Sequence, residues 1–226
     1  ITPEERMMQH LHREIENLKK DIVREAGLVE TNLRESIKAL MTRDHDLAIE
    51  IVERDKIIDD LEVEVEEECL KIFALYQPVA VDLRYLVAFL KLNNDLERIG
   101  DLATNIADRA ASLALNDILT IPAQIPTMSE LVQKMLKDSL DALVDLDGEK
   151  AQDVLLQDDE VDELHHSMYA VIGNEIKDDP KNVEAWMEIL AVSRYLERIA
   201  DHCTNIAEDV EYMIHGQIQR HQSLHP

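Results

Sequence analysis

The sequence has few of the residues that interrupt or cross-link a chain. Its 226 residues include five glycines, six prolines and two cysteines, and aromatic residues make up only 4%. Sparse turn formers, beside abundant Leu, Ile, Ala, Glu, Asp and Lys, predict an all-α protein. The hydrophobic share of 46% is enough for a sizeable core, in one large domain or two small ones.

The shortage of glycine also bears on function. Five glycines leave little material for a phosphate-binding loop, and the sequence has neither a Gly-rich phosphate loop nor a Gly-x-Ser-x-Gly motif. It has no clear Ser/His/Asp or Cys/His arrangement for nucleophilic catalysis. We therefore expect a protein that is not an enzyme and that has no catalytic residues.

Cysteine and long apolar runs are scarce as well. Cys69 and Cys203 lie within apolar helical patterns, which favours small core residues over ligands or a disulfide and is typical of a reducing compartment. The longest clear apolar run, residues 85–90, is far short of the ~18 residues of a membrane span. With no recognisable signal peptide, we expect a cytoplasmic protein without direct membrane insertion.

Positive charge is in short supply. The chain carries 48 acidic and 23 basic residues, and its formal net charge is −25. This balance excludes nucleic acid and an anionic lipid surface as main partners, and it suits cations and basic protein surfaces. Most of the carboxylates are expected to be solvated groups on the surface that only keep the protein soluble.

The few chain breakers predict six long helices. Asp44 is a candidate N-cap. Gln77-Pro78 and Asp179-Pro180 each end one helical pattern and precede another, because proline suits a first helical turn. The predicted helices span residues 4–42, 44–75, 79–115, 128–146, 149–177 and 181–215.

Pro122 and Pro126 mark a division of the chain into two halves. Residues 117–128 are predicted to be a linker, and Thr127 with Glu130 is a candidate capping box for the fourth helix. Asp147-Gly148 is predicted to be a turn. Each half is then a three-helix unit: residues 1–116 form the first, 129–215 the second, and 216–226 a C-terminal tail.

A repeated segment relates the two halves. Residues 96–107 return as residues 196–207, and nine of the twelve positions are identical. The repeat places Glu97 four residues before Asp101, and Glu197 four before Asp201, so each pair shares a helix face. Like charges at this spacing destabilise a helix by roughly 0.2–0.5 kcal/mol, which indicates that a cation compensates.

The compensating cation is either an arginine or a metal ion. Arg98 and Arg198 each stand three residues before the aspartate of their pair, and for an isolated pair a salt bridge is the favoured interpretation. His202 lies next to Asp201 but points about 100° away on an ideal helix. We expect His202 on the helix surface or in packing.

A second ladder on the preceding helices favours the metal. At an offset of 103 residues, Asp55 and Asp59 align with Asp158 and Asp162, and Glu62 aligns with His165. Helices joined by short turns are antiparallel neighbours, so about four carboxylates are expected to converge in each half. The candidate metal ligands are Asp55, Asp59, Glu97, Asp101, Asp158, Asp162, Glu197 and Asp201, with Glu62 and His165 as additional candidates.

The donor types constrain the metal. Oxygen ligands suit Mg, Mn, Fe or Ca, and His165 adds Fe or Zn. We expect Fe or Zn first, with Mn or Mg as alternatives, and the number of carboxylates allows more than one ion in each site. The two other hypotheses are a carboxylate-bridged metalloenzyme, such as a hydrolase or oxidase, and an inert acidic helical scaffold whose ladders are salt-bridged.

Four stretches of the sequence carry a resemblance to a known family. They are Glu-Arg-Ile-Gly-Asp at 97–101 with Glu-Arg-Ile-Ala-Asp at 197–201, Gln-Pro-Val-Ala-Val-Asp-Leu-Arg at 77–84, and the ending at 212–221. Together they resemble PhoU, the family of phosphate uptake regulators and accessory proteins of the phosphate-specific transport system. The resemblance covers essentially the whole chain.

The resemblance carries its own expectations. It implies two tandem, pseudo-symmetric three-helix bundles and multinuclear metal sites at the eight acidic residues given above. It implies a cytoplasmic, dimeric negative regulator of the phosphate-starvation response. Such a regulator links the ATPase of the phosphate ABC transporter to the sensor histidine kinase of the phosphate two-component system.

The second half departs from the family pattern. It has Asp179-Pro180-Lys-Asn-Val-Glu-Ala-Trp in place of the Gln-Pro-x-Ala-x-Asp-Leu-Arg run, and Ala200 stands where the first half has Gly100. The two sites are therefore expected to differ in occupancy or in metal.

Overall fold

The computed structural model describes residues 3–116 and 120–216, and over these residues the chain forms six α-helices and no strand. This confirms the all-α prediction. The helices are α1 (Pro3–Thr42), α2 (His45–Tyr76), α3 (Ala80–Ala114), α4 (Gln124–Asp145), α5 (Gly148–Asp178) and α6 (Val183–His215). Part of the predicted linker and residues 217–226 of the predicted tail lie outside the described residues.

The helices form two bundles of three that lie side by side. Helices α1, α2 and α3 pack on one another, and so do α4, α5 and α6. The bundles meet mainly where α3 packs on α6, with a smaller contact between α1 and α4. Buried side chains from both bundles form one hydrophobic core, which includes Trp186, Cys69 and Cys203.

The two bundles use the same loop between their first two helices. Arg43 and Leu146 each adopt a left-handed backbone conformation, with φ of 56° and 51°. The aspartate that follows caps the next helix: Asp44 accepts a hydrogen bond from the Leu47 N–H at 3.0 Å, and Asp147 from the Lys150 N–H at 3.1 Å. The Asp44 cap is confirmed, and the predicted turn at Asp147 is a helix cap.

The capping box predicted at the start of α4 is wrong. The helix begins at Gln124, and the Thr127 hydroxyl donates to the Ala123 carbonyl oxygen at 3.1 Å as an interior helical residue does. Pro126 does not delay the start, because the N–H groups of a first turn have no partner within the helix. The Thr127 and Glu130 pair therefore lies inside α4 instead of preceding it.

Pro78 and Pro180 each lie between two α-helices, and neither lies inside one. Pro78 precedes α3, whose N-cap is Val79. Pro180 begins a single 3₁₀ turn, Pro180–Asn182, and α6 follows at Val183. Both short connections fold the last helix of each bundle back on the preceding one, which brings the acidic ladders of the sequence face to face.

Candidate metal centres

The first acidic cluster lies between α2 and α3. One carboxylate oxygen from each of Asp55, Asp59 and Asp101 lies within 4.8 Å of the other two. Asp55 and Asp101 are half-buried and Asp59 is exposed, so the cluster opens to solvent on one side. Burial raises the pKa of Asp55, the neighbouring Thr104 hydroxyl opposes the rise, and the charges of Asp59 and Asp101 add to it.

Two glutamates continue this cluster along the helices. Burial and the neighbouring Asp101 charge raise the pKa of Glu97 to about 7, against the opposing effect of Arg98. Burial raises the pKa of Glu62, and the charges of Glu66 and Asp59 raise it further. The raised pKa values of these groups come first from burial and then from neighbouring negative charge, and a bound cation would offset both.

Arg98, which the sequence analysis gave as the alternative cation, contacts the first cluster. Its Nη1 lies 3.2 Å from Asp101 Oδ2, and its Nε lies 3.3 Å from Glu97 Oε2. The side chain of Arg98 is 53% exposed. Exposed ion pairs of this kind contribute about 0–1 kcal/mol, so Arg98 is a weak competitor for a multivalent ion.

The second acidic cluster lies between α5 and α6. Burial and the charges of Asp162 and Asp201 raise the pKa of Asp158 to about 7. Burial, Asp201 and Asp162 likewise raise the pKa of Glu197. The Oδ1 atom of Asp158 is buried and has no hydrogen-bond partner among the described residues. Within that part of the chain, no ion pair joins Arg198 to Asp201, unlike the first half.

His165, the histidine predicted as an additional ligand, is hydrogen-bonded through one of its ring nitrogens. Its Nδ1 lies 3.0 Å from the Ser193 hydroxyl, and that hydroxyl donates its own hydrogen to the Leu190 carbonyl at 2.8 Å. With the hydroxyl hydrogen on Leu190, Ser193 accepts the Nδ1–H, and Nε2 then keeps a lone pair. Burial lowers the pKa of His165, which favours the neutral ring that binds metals.

Both clusters fit metal ions by their chemistry. The first offers carboxylates alone, and the second offers carboxylates together with His165, on whose ring the charge of Asp162 acts. An ion bound in the first half would be held by Asp55, Asp59, Glu97 and Asp101, and one in the second half by Asp158, Asp162, Glu197 and Asp201. It would supply the positive charge that the facing carboxylates lack. That all eight residues bind metal stays a prediction; the first half brings three of its four within 4.8 Å of each other.

One acidic residue beside the first cluster was not predicted. Glu25 projects from α1, is 0% exposed, and faces Glu62 and Glu97. Burial, followed by these two charges, raises the pKa of Glu25 to about 8. A signal exists in the sequence, because Glu25 interrupts the apolar stripe of α1 between Ile22 and Val29, but a single acid in such a stripe has many explanations.

His202 connects the two bundles. Its Nδ1 lies 2.7 Å from Asp95 Oδ1, and the Asn205 amide donates to the same oxygen at 3.2 Å. Lys91 pairs with Asp209 at 2.9 Å along the same α3–α6 contact. His202 is thus a packing residue, as expected, but its polar partner on the other half was not foreseen.

The fold and the two clusters define a class of protein: a tandem pair of three-helix bundles, each with facing acidic ladders on its last two helices. The family model of the PhoU domain matches this chain twice, over residues 22–110 and 125–210. The chain belongs to the PhoU family. The sequence resemblance is thereby confirmed, and so is the tandem-bundle fold.

Known proteins resemble the chain over nearly its whole length. It is 39% identical to the phosphate-specific transport system accessory protein PhoU homolog of Aquifex aeolicus, covering 95% of this chain and 97% of the relative. It is 38% identical to the homolog of the same name in Caulobacter vibrioides NA1000, covering 90% of this chain and 89% of the relative.

Solved structures show the same fold. The crystal structure of PhoU from Pseudomonas aeruginosa matches with a TM-score of 0.88 and 33% identity, over 91% of this chain and 99% of that one. The phosphate transport system regulatory protein PhoU from Streptococcus pneumoniae matches with a TM-score of 0.85 and 26% identity, over 92% and 98%. In the described part of the chain, no helix combines the length and apolar character that a membrane crossing needs.

Proposed function

We propose that this protein is an accessory protein of phosphate-specific transport and a negative regulator of the phosphate-starvation response. The observation that carries the proposal is the relation to accessory proteins of that system along 95% of the chain. Regulation of this kind needs no catalytic step. The protein would act in the cytoplasm as an adaptor between the phosphate ABC transporter ATPase and the sensor histidine kinase.

The metal centres would organise the carboxylate faces of the adaptor. The eight carboxylates are proposed to hold Fe or Zn, or else Mn or Mg, in multinuclear sites, with Glu62 and His165 as additional ligands. Support comes from the three aspartate oxygens within 4.8 Å and from the raised pKa values of Asp158 and Glu97. We further propose a homodimer, as the family resemblance implies.

The adaptor role can be tested by capture of its two partners. Tagged protein, prepared from phosphate-replete cells, is expected to retain both the transporter ATPase and the kinase. A variant with Asp101→Asn and Asp201→Asn is expected to lose at least one partner, whereas Asp108→Asn, which alters an exposed aspartate of α3, retains both. Capture of neither partner by the wild-type protein would count against the adaptor.

The inert scaffold is the second candidate, and the Arg98 ion pairs favour it. If Arg98 is the sole cation of the first cluster, Arg98→Gln destabilises the protein and added metal has no effect on thermal unfolding. If the cluster binds metal, Arg98→Gln instead strengthens metal binding, because a competing charge is removed. A thermal-shift titration of both proteins separates the two outcomes.

A further inference from the structure

We propose that the first half binds an additional divalent cation, coordinated by oxygen, in the space between α1, α2 and α3. Its ligands are the carboxylates of Glu25, Glu62 and Glu97 and the side-chain oxygen of Asn93. The inference rests on the metal centre proposed above, and it extends that centre by one ion and one helix.

The burial of Glu25 is the first observation that carries this inference. The side chain is 0% exposed, and neither carboxylate oxygen has a hydrogen-bond partner in the described part of the chain. A buried carboxylate without partners is strongly destabilising unless it takes up a proton or meets a cation. Its charged neighbours, Glu62 and Glu97, are both acidic, so a cation entering there is attracted by three carboxylates at once.

Asn93 supplies a second, independent oxygen. It is 1% exposed, and its Nδ2 donates to the backbone carbonyl of Glu62 at 2.9 Å. This bond holds the amide against α2, one helical turn before Glu97 on the same face of α3. The Asn93 Oδ1 is buried and has no hydrogen-bond partner among residues 3–116 and 120–216. Three carboxylates and one amide oxygen form a donor set for a hard cation.

Loading this position requires a small rearrangement. Among the described residues, only the aspartates of the first cluster lie within 4.8 Å of one another as a group of three. Glu97 is meanwhile paired with Arg98 at 3.3 Å. Glu62 and Glu97 are half-buried and keep free side-chain torsions, so binding needs the release of one exposed arginine and the rotation of two long side chains.

The second half cannot bind the corresponding ion. The offset of 103 residues extends to α1 and α4, where Ser36 and Ser139 are both fully buried and each donates to the carbonyl three residues earlier. The same offset places Met128, which is also fully buried, at the position of Glu25. His165 replaces Glu62, and Ser193 replaces Asn93 on the repeated helix. The additional ion is therefore specific to the first half.

A count of bound Mn²⁺ tests the inference in the full-length chain. The parent protein carries Asp158→Asn and Asp201→Asn, which remove two carboxylate ligands from the proposed centre of the second half. After equilibrium dialysis, elemental analysis of Glu25→Met in this parent is expected to find one Mn²⁺ fewer per chain. Glu30→Gln, which removes the same charge from a half-buried site on α1, is expected to leave the count unchanged.

An equal Mn²⁺ count and affinity in Glu25→Met would overturn the inference and identify Glu25 as a protonated core acid, while the proposed first centre stands. A parent that binds no Mn²⁺ would overturn the inference, while the proposed first centre would still be tested by its binding of Fe or Zn. If Glu25→Met does not fold, Glu25→Gln serves, since it keeps the shape. Its thermal stabilisation by Mn²⁺ is expected to be smaller than that of the parent.

Discussion

Several carboxylates of this protein hold protons near neutral pH. Glu25 titrates with a pKa of about 8, and Asp158 and Glu97 each with a pKa of about 7, while their ordinary values are 4.5 for glutamate and 3.8 for aspartate. Burial is the largest cause in all three. Ionising these groups in the folded protein is therefore unfavourable unless positive charge arrives.

This gives the metal-free protein a defined dependence on pH. Between the ordinary pKa values and about 8, the folded state binds protons that the unfolded state releases, so the free energy of unfolding falls as pH rises. Urea denaturation of metal-free protein is expected to show a lower midpoint at pH 8 than at pH 6. Glu25→Gln is expected to flatten the upper part of this decline, and a midpoint that rises from pH 6 to 8 would contradict the pKa shifts.

Gly100 is one of the three positions at which the repeated segments differ. A Cβ atom built on Gly100 would lie 3.3 Å from two carbons of Ile58. In the second half Ala200 replaces Gly100, and the smaller Val161 stands at the position of Ile58. The two exchanges compensate in volume.

The pair can be tested with a double-mutant cycle. Gly100→Ala adds helix propensity worth about 1 kcal/mol but crowds Ile58, whereas in an Ile58→Val background the crowding is relieved. We expect Gly100→Ala to be more favourable by at least ~0.5 kcal/mol in that background than in the wild-type chain, as measured by chemical denaturation. Additive effects of the two substitutions would show that the side chains do not share this space.

At the scale of elements, the same aspartate cap begins α2 and α5. Asp44 and Asp147 each accept one backbone N–H that the helix itself leaves without a partner. Replacing either residue with alanine is expected to cost about 1 kcal/mol in the free energy of unfolding. Asp60→Ala is the control, because Asp60 is exposed in the middle of α2 and lies at neither end of the helix. A cost for Asp60→Ala equal to that for Asp44→Ala would refute the capping role.

The helices were largely predictable, because they are long, strongly periodic and separated by few breakers. The start of α4 was not, since the Thr127 capping pattern suggests a boundary that the chain passes over. The aspartate trio was predictable because the repeat marks its residues twice. Glu25 has no such mark: its counterpart is Met128, and its role depends on three helices meeting around it.

At the scale of the whole molecule, a polar contact fixes one bundle against the other. Lys91 of α3 pairs with Asp209 of α6, whose side chain is 4% exposed, and the Lys91 ammonium also lies 5.1 Å from the centre of the Tyr212 ring. Nearby, Asp95 accepts from Asn205 and lies 2.7 Å from His202. Helix α3, which carries part of the first cluster, is therefore held against α6, which carries part of the second.

Loss of the lysine is expected to loosen this contact. Lys91→Met keeps the apolar stem but removes the charge that faces a buried carboxylate, so we expect a loss of about 2 kcal/mol in the free energy of unfolding. The double variant Lys91→Met with Asp209→Leu is expected to recover part of the loss. Chemical denaturation checks both values, and a neutral effect of Lys91→Met would show that the pair contributes little to joining the bundles.

If the paired acidic faces are metal centres, anomalous diffraction will locate the bound ions. Crystals of protein purified without chelator, measured at the iron and zinc edges, are expected to show peaks beside Asp55, Asp59 and Asp101 between α2 and α3. Further peaks are expected beside Asp158 and Asp201 between α5 and α6. Absence of peaks at both faces, with Arg98 still paired to Asp101 and no metal in elemental analysis, would show that these faces are not metal centres.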